Sequence, residues 1–238
     1  MVGLHRRVLG RDSRLSGTIR VAMSGVMLQR LGAPMAAFAG EYPGIELSVV
    51  TGETYVSLTK READVAIRAA NSPPRALVGR RICRLAMAPY AGLDYLETAT
   101  GISDLQGHSW VRLDESWAHV PMERWITSRV PAGPAHVRAS SGAALQEMVA
   151  HGCGVGWLAC YIAEPDPRLA RVGEPQPDFA SAIWVLTHED LRRTARIRRF
   201  MQWMSKAIAE DQAVSEGTQL APCWSGKADP GTVTHRPG

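Results

Sequence analysis

The sequence predicts an α/β protein in two lobes, and three observations carry that prediction. From Leu15 onward short β-rich runs alternate with helical ones, a strand–Ser-Gly–helix segment occurs early in each half, and the last regular stretch is a strongly amphipathic helix. Strands alternating with helices argue for βαβ units around largely parallel sheets. With 238 residues, 45% hydrophobic and 21% charged, the chain is long enough for two lobes of about 100 residues that each bury a core.

Strands are expected over 18–23, 45–50, 64–68, 82–90, 109–113, 135–139, 154–158 and 182–187, where β-branched and other apolar residues concentrate. A helix follows the first strand: Leu28, Leu31, Met35 and Phe38 share one face, although Pro34 lacks an N–H and should split or kink it. Further helices are expected over 122–129, 142–151 and 190–209. In the last of these Ile197, Phe200, Met201, Met204 and Ile208 form an apolar stripe at i, i+3, i+4, i+7, i+11 spacing. Its arginines, Arg192, Arg193, Arg196 and Arg199, lie mainly on other faces. A DNA-reading helix is one interpretation; the solvated flank of a core-packed helix is the favoured one. Beyond Asp211 periodicity stops, and the Gly-, Pro-, Ser- and Thr-rich run over 211–238 reads as a disordered tail.

The formal charge of +4 is local. Arg6, Arg7, Arg11, Arg14 and Arg20 face Asp12 alone, and after residue 20 acidic and basic groups balance. A body shaped for nucleic acid would be cationic across a whole face. Cys83, Cys153, Cys160 and Cys223 form no CxxC, and the first three sit in apolar surroundings, which fits a reduced, cytoplasmic setting. No run approaches the roughly 20 apolar residues of a membrane helix. The basic start has no apolar h-region behind it, so a secretory signal is not expected.

VAMSGVMLQ (21–29) and RASSGAALQ (138–146) agree at Ala22/Ala139, Ser24/Ser141, Gly25/Gly142, Leu28/Leu145 and Gln29/Gln146. Each ends a strand, passes through Ser-Gly and opens a helix, which is the pattern of a pseudo-symmetric two-lobed protein. The first N–H groups of a helix lack intrahelical acceptors, and the helix dipole adds positive potential there. Ser supplies a hydroxyl, and Gly lets a ligand approach the backbone. Two such corners face to face would clasp a small carboxylate or phosphate. The alternative is that Ser24 and Ser141 are ordinary N-caps.

Other motifs point away from catalysis. The glycines of GCGVGW (152–157) follow a helix and lead into a strand, the reverse of a dinucleotide-binding fingerprint. The seven His are scattered, and His188, Glu189 and Asp190 read as a cap for the final helix. There is no GxSxG elbow or P-loop, and no base is evident for Ser24 or Ser141. No enzyme activity, metal or cofactor is expected. Arg68 ends the strand in READVAIR, either at the C-terminal crevice of the sheet or as a surface residue just past it. The tryptophans suit core packing, with Trp110 and Trp117 as possible cleft residues.

The order of several segments resembles the effector-binding domain of LysR-type transcriptional regulators. LSGTIRVA (15–22), FAGEYPGIELSVVTGE (38–53), READVAIR (61–68) followed by LVGRRI, MVAHGCGVGWL (148–158) and LTHEDLRRTARIRRFMQW (186–203) are similar to its successive segments over residues 15–208. Ala159, where many relatives have Pro, departs from the pattern. The resemblance implies a type 2 periplasmic-binding-protein-like fold, with a small-molecule cleft between the lobes. One lobe would comprise about 15–88 and 188–210 and the other about 89–187, with crossovers near 89–92 and 186–188. Residues 1–14 would be the remnant of a linker helix, without the family's N-terminal winged helix-turn-helix. By position, ligand contacts fall on Ser24, Gly25, Val26, Thr51, Gly52, Glu53, Arg68, Trp110, Arg112, Ser140, Ser141 and Gly142.

The expected function is therefore a cytoplasmic sensing module that binds a small, anionic effector, forms homodimers or higher homo-oligomers, and reaches DNA only through a helix-turn-helix outside these residues. Two alternatives share the fold: a solute-binding protein of a transporter, and a short partner that pairs with full-length regulators.

Overall fold

The computed structural model describes residues 15–52, 63–73, 76–99, 104–131 and 137–224. Chain order begins with β1 (Gly17–Met23), α1 (Gly25–Glu41), β2 (Ile45–Thr51), β3 (Val65–Ala70) and β4 (Leu77–Leu85). It continues through β5 (Met87–Gly92), α2 (Leu93–Thr98), β6 (Arg112–Leu113), α3 (Pro121–Arg129), β7 (Arg138–Ala139) and α4 (Gly142–Ala150). It ends with β8 (Val155–Ala159), α5 (Cys160–Ala163), β9 (Leu169–Arg171), β10 (Ser181–His188), α6 (Ala195–Glu210) and α7 (Gln212–Ser215).

The first lobe is a five-stranded sheet in the order β2-β1-β3-β10-β4. β1 is parallel to β2 and β3, whereas β10 is antiparallel to β3 and β4. Its core joins Ile19, Val21 and Ile67 of the sheet to Met27, Leu31, Met35 and Phe38 of α1 and to Ile197, Phe200, Met204 and Ile208 of α6. Phe38 meets Phe200 edge-on with ring centroids 5.0 Å apart. The final helix thus buries the predicted apolar stripe, except that Met201 is only half-buried, and this leaves most of its arginines to solvent.

The second lobe holds β8-β5-β9, paired antiparallel, and the parallel pair β6-β7. Trp110 joins them through a parallel bridge to Val155. Its core combines Tyr90, Val111, Leu145, Val149 and Leu158 with a cluster in which Trp157 lies 5.7 Å from Trp110, 5.2 Å from Trp125 and 4.8 Å from Phe179.

Several expectations are corrected here. The run 82–90 is two strands: the chain leaves one sheet after Leu85, passes buried Ala86, and enters the other at Met87. The return crossing falls just before Ser181, because Ile183 and Val185 of β10 fill the first lobe's core between β3 and β4. Both crossovers lie several residues upstream of the expected ones. Pro34 sits inside an unbroken α1; it deprives the Arg30 carbonyl of a donor, while its own carbonyl accepts Trp203 Nε1–H at 2.9 Å. Thr194 takes the N-cap position of the final helix without a side-chain capping bond, and His188–Asp190 lie in the turn before it. The second lobe's main sheet is antiparallel, not parallel. Residues 211–224, expected as part of a disordered tail, include α7 and lie packed on both lobes.

GCGVGW owes its glycines to packing. After α4 the Gly152 N–H bonds Val149 O at 3.0 Å and the Cys153 N–H bonds Met148 O at 3.1 Å, the paired bonds of a Schellman ending, with Gly152 at φ +78. A Cβ on Gly156 would lie 2.5 Å from Val149 Cγ2, so β8 can lie this close to α4 only with glycine there.

Candidate functional site

The two Ser-Gly corners meet across the lobe boundary. A Cβ built on Gly25 would stand 3.6 Å from Ala143 Cβ, and one on Gly142 would stand 3.4 Å from Val26 Cγ1. The first turns of α1 and α4 are therefore in contact. Each helix N-terminus carries roughly half a positive charge, and its first N–H groups have no intrahelical acceptor. Two like poles at contact distance favour a negative group between or beside them.

The corners differ in how their serines are used. Ser141 is extended (φ −147, ψ 157) and its Oγ accepts the Ala144 N–H at 3.1 Å. Ser24 is extended (φ −73, ψ 155), but its hydroxyl caps nothing in α1. Both carbonyls begin their helices, Ser24 O accepting from Leu28 N–H at 3.2 Å and Ser141 O from Leu145 N–H at 2.9 Å.

Thr51 stands beside Met23 in the parallel register, and the Gly52 N–H donates to Met23 O at 3.2 Å. Both border the first corner from β2. On the other side of β1, Ala22 aligns with Ala66, which puts Arg68 level with Ser24. Arg68 does not end its strand: it pairs with Trp184 of β10, and the ladder runs on to Ala70. Glu53 lies outside the described residues.

Two expected contacts from the second lobe stand elsewhere. Trp110 is 5% exposed, enclosed by Trp125 and Trp157, and its Nε1–H donates to Leu105 O at 2.9 Å. It is a core residue because it bridges to Val155 of β8. Arg112 donates from Nε to Glu123 Oε2 at 2.9 Å and from Nη2 to Thr127 Oγ1 at 2.6 Å, fastening β6 to α3. The Glu123 carboxylate is buried and also accepts the Leu113 N–H at 2.8 Å. The aromatic residue beside the second corner is Trp117, whose Nε1–H donates to Ser140 O at 3.2 Å.

Around the second corner, Arg168 reaches Glu147 of α4 at 2.9 Å and Asp166 at 2.7 Å, and these bonds hold both carboxyls below the usual range. Burial pushes the Cys83 and Cys160 thiols up, the opposite of a nucleophile's requirement. Among the described residues no group of three His, Cys, Asp or Glu side chains could hold a metal ion. No helix among them is long and apolar enough to cross a membrane. A separate cavity of 440 Å³ lies between β4 and α6, lined in part by Arg80, Arg192 and Arg198. Arg80 and Arg192 are exposed, and Arg192 pairs with Glu189 at 3.3 Å. β4 is an edge strand, and charge on an edge discourages pairing with another chain.

Glu123 carries no site signal in the sequence, whereas Trp117, a candidate cleft residue, does stand beside the second corner. Glu123, in the first turn after Pro121, carries the usual signature of an exposed helix start, so nothing local marks its burial. Trp117 had a signal, an aromatic residue in a loop after a strand, but its partner Ser140 lies in a different segment.

The family model of the LysR substrate binding domain matches residues 12–209. The HTH-type transcriptional regulator CrgA of Neisseria meningitidis serogroup C is 25% identical over 207 residues, covering 82% of this chain and 68% of that protein. The HTH-type transcriptional activator AaeR of Escherichia coli K12 is 31% identical over 139 residues, covering 55% of this chain and 45% of AaeR. The structure of the CrgA regulatory domain aligns with a TM-score of 0.64 at 26% identity, covering 80% of this chain and 98% of that one. The AmpR effector binding domain of Citrobacter freundii, at 18% identity, shares the fold with a TM-score of 0.64 over 82% of this chain and all of that one.

Proposed function

Because the chain belongs to the LysR substrate-binding-domain family, we propose that it is the effector-sensing module of a cytoplasmic LysR-type transcriptional regulator. The observation that carries this reading is the contact between the first turns of α1 and α4, one from each lobe. A small anion held there gains from both helix poles at once, and from the Ser24 hydroxyl, which α1 leaves uncapped. Gly25, Val26, Ser140, Ser141 and Gly142 frame the position, with Thr51, Gly52 and Arg68 beside the first corner.

An effector shifts the relative orientation of the lobes only by binding one orientation more tightly than the other. Because Val26 and Ala143 occupy the space between the corners, the lobes separate to admit the ligand and close on it. Homo-oligomer geometry then relays the change to DNA-binding domains. This reading includes no turnover: among the described residues no His, Asp or Glu is hydrogen-bonded to Ser24 or Ser141, and burial pushes the Cys83 and Cys160 thiols up. Family membership favours this reading over a transporter's solute-binding protein.

Differential scanning fluorimetry against small mono- and dicarboxylates and phosphate esters tests the proposal. At least one class should raise the melting temperature saturably. A flat response to every class would overturn it.

A further inference from the structure

We infer that residues 211–224 form a strap that tethers the first lobe to the second and holds the two Ser-Gly corners in contact. The strap begins where the match to the family ends, at the last turn of α6. It is rooted on the first lobe, where the Asp211 carboxylate pairs with Arg30 of α1. That arginine also lies 5.5 Å over the ring of Tyr161, which α5 of the second lobe inserts into the first lobe's core.

Ser215 is fully buried beside the crossing point. Its hydroxyl accepts from Cys83 Sγ at 3.3 Å and donates to Arg84 O at 2.8 Å, and its carbonyl accepts the Ala86 N–H at 2.7 Å. Gly217, at φ +75, then turns the chain onto the second lobe.

There the backbone is received by a nearly buried ion pair. The Ala221 N–H donates to Glu164 Oε2 at 3.0 Å, and Arg171 Nη2 donates to the Ala221 carbonyl at 2.7 Å. Leu220 packs on the core around Tyr90, and Trp224 packs on the tryptophan cluster while its N–H donates to Arg171 O at 2.7 Å. The side chains of Arg171 and Glu164 are only 6% and 10% exposed. Without the strap, Glu164 Oε2 and Arg171 Nη2 each lose a partner inside the protein, and buried polar groups left unpaired are costly. The contact is therefore part of the second lobe's own structure. Among the described residues the strap is a further chain connection between the lobes beside the two β crossings, so reorientation about Ala86 must move or release it. The tether stands whatever the crevice binds.

Hydrogen–deuterium exchange on the full chain, without ligand, tests this with two variants. Ala221→Pro removes the N–H given to Glu164, and Trp224→Ala removes the anchor on the tryptophan cluster. The expected result is exchange at least tenfold faster in the first turn of α4 and in α5, with β1 and β3 unchanged. If Ala221→Pro does not fold, Trp224→Ala at its half-buried position carries the test. Acceleration confined to 211–224, or spread evenly through β1 and β3 as well, would overturn the inference.

Discussion

Ser24 and Ser141 occupy equivalent places in two copies of one strand–Ser-Gly–helix turn, yet only Ser141 caps its helix, through the Ala144 N–H at 3.1 Å. The hydroxyl of Ser24 is left for another partner. Removing each one should therefore have a different consequence. Ser141→Ala should cost about 1 kcal/mol of folding stability, the usual worth of an N-cap. Ser24→Ala should leave the denaturation midpoint nearly unchanged. Chemical denaturation of both variants checks this.

Gly142 is the tightest point between the corners, since a Cβ there would stand 3.4 Å from Val26 Cγ1. Gly142→Leu should hold α1 and α4 apart and abolish response to any compound that stabilises the wild type. The fold should survive, because the side chain enters a boundary rather than either core. Circular dichroism and scanning fluorimetry together separate these outcomes.

Trp110 and Glu123 should behave as structural residues. Trp110→Ala removes a buried member of the tryptophan cluster, packed on Trp125 and Trp157, and should cost about 3–5 kcal/mol. Glu123→Ala strands the Leu113 N–H and the Arg112 guanidinium, a loss of about 3 kcal/mol. Urea unfolding monitored by tryptophan fluorescence measures both.

Acid stability should depend on Arg168. Its hydrogen bonds hold the Asp166 and Glu147 carboxyls low, so both carry lower pKa values folded than unfolded. Their stabilisation is complete above the ordinary carboxylate range, about pH 4, and is lost as pH falls through the folded values. The wild type should lose stability steeply on that acid limb, and Arg168→Ala should show a shallower loss. Denaturation midpoints between neutral and acidic pH read out the difference.

The pseudo-repeat was legible because the turn chemistry of Ser24-Gly25 and Ser141-Gly142 is local. The apolar stripe on α6 was legible for the same reason: spacing along one helix decides its face. What was not legible depends on partners distant in sequence. The chain changes sheets at Ala86 inside an unbroken apolar run, because both cores accept the same residue types. The resemblance puts Trp110 at the ligand, but the rings of Trp125 and Trp157 hold it in the core. The strap had no periodicity to reveal it; Leu220 and Trp224 are held by Glu164, Arg171 and the second lobe's surface, contacts that composition does not encode.

The most direct test of the central claim is a saturation titration by calorimetry, using the compound that stabilises the wild type most, on wild type, Ser24→Ala and Trp110→Phe. Binding between the corners predicts at least a tenfold weaker affinity for Ser24→Ala and an unchanged one for Trp110→Phe. Equal affinity in all three, or a loss only in Trp110→Phe, would contradict it.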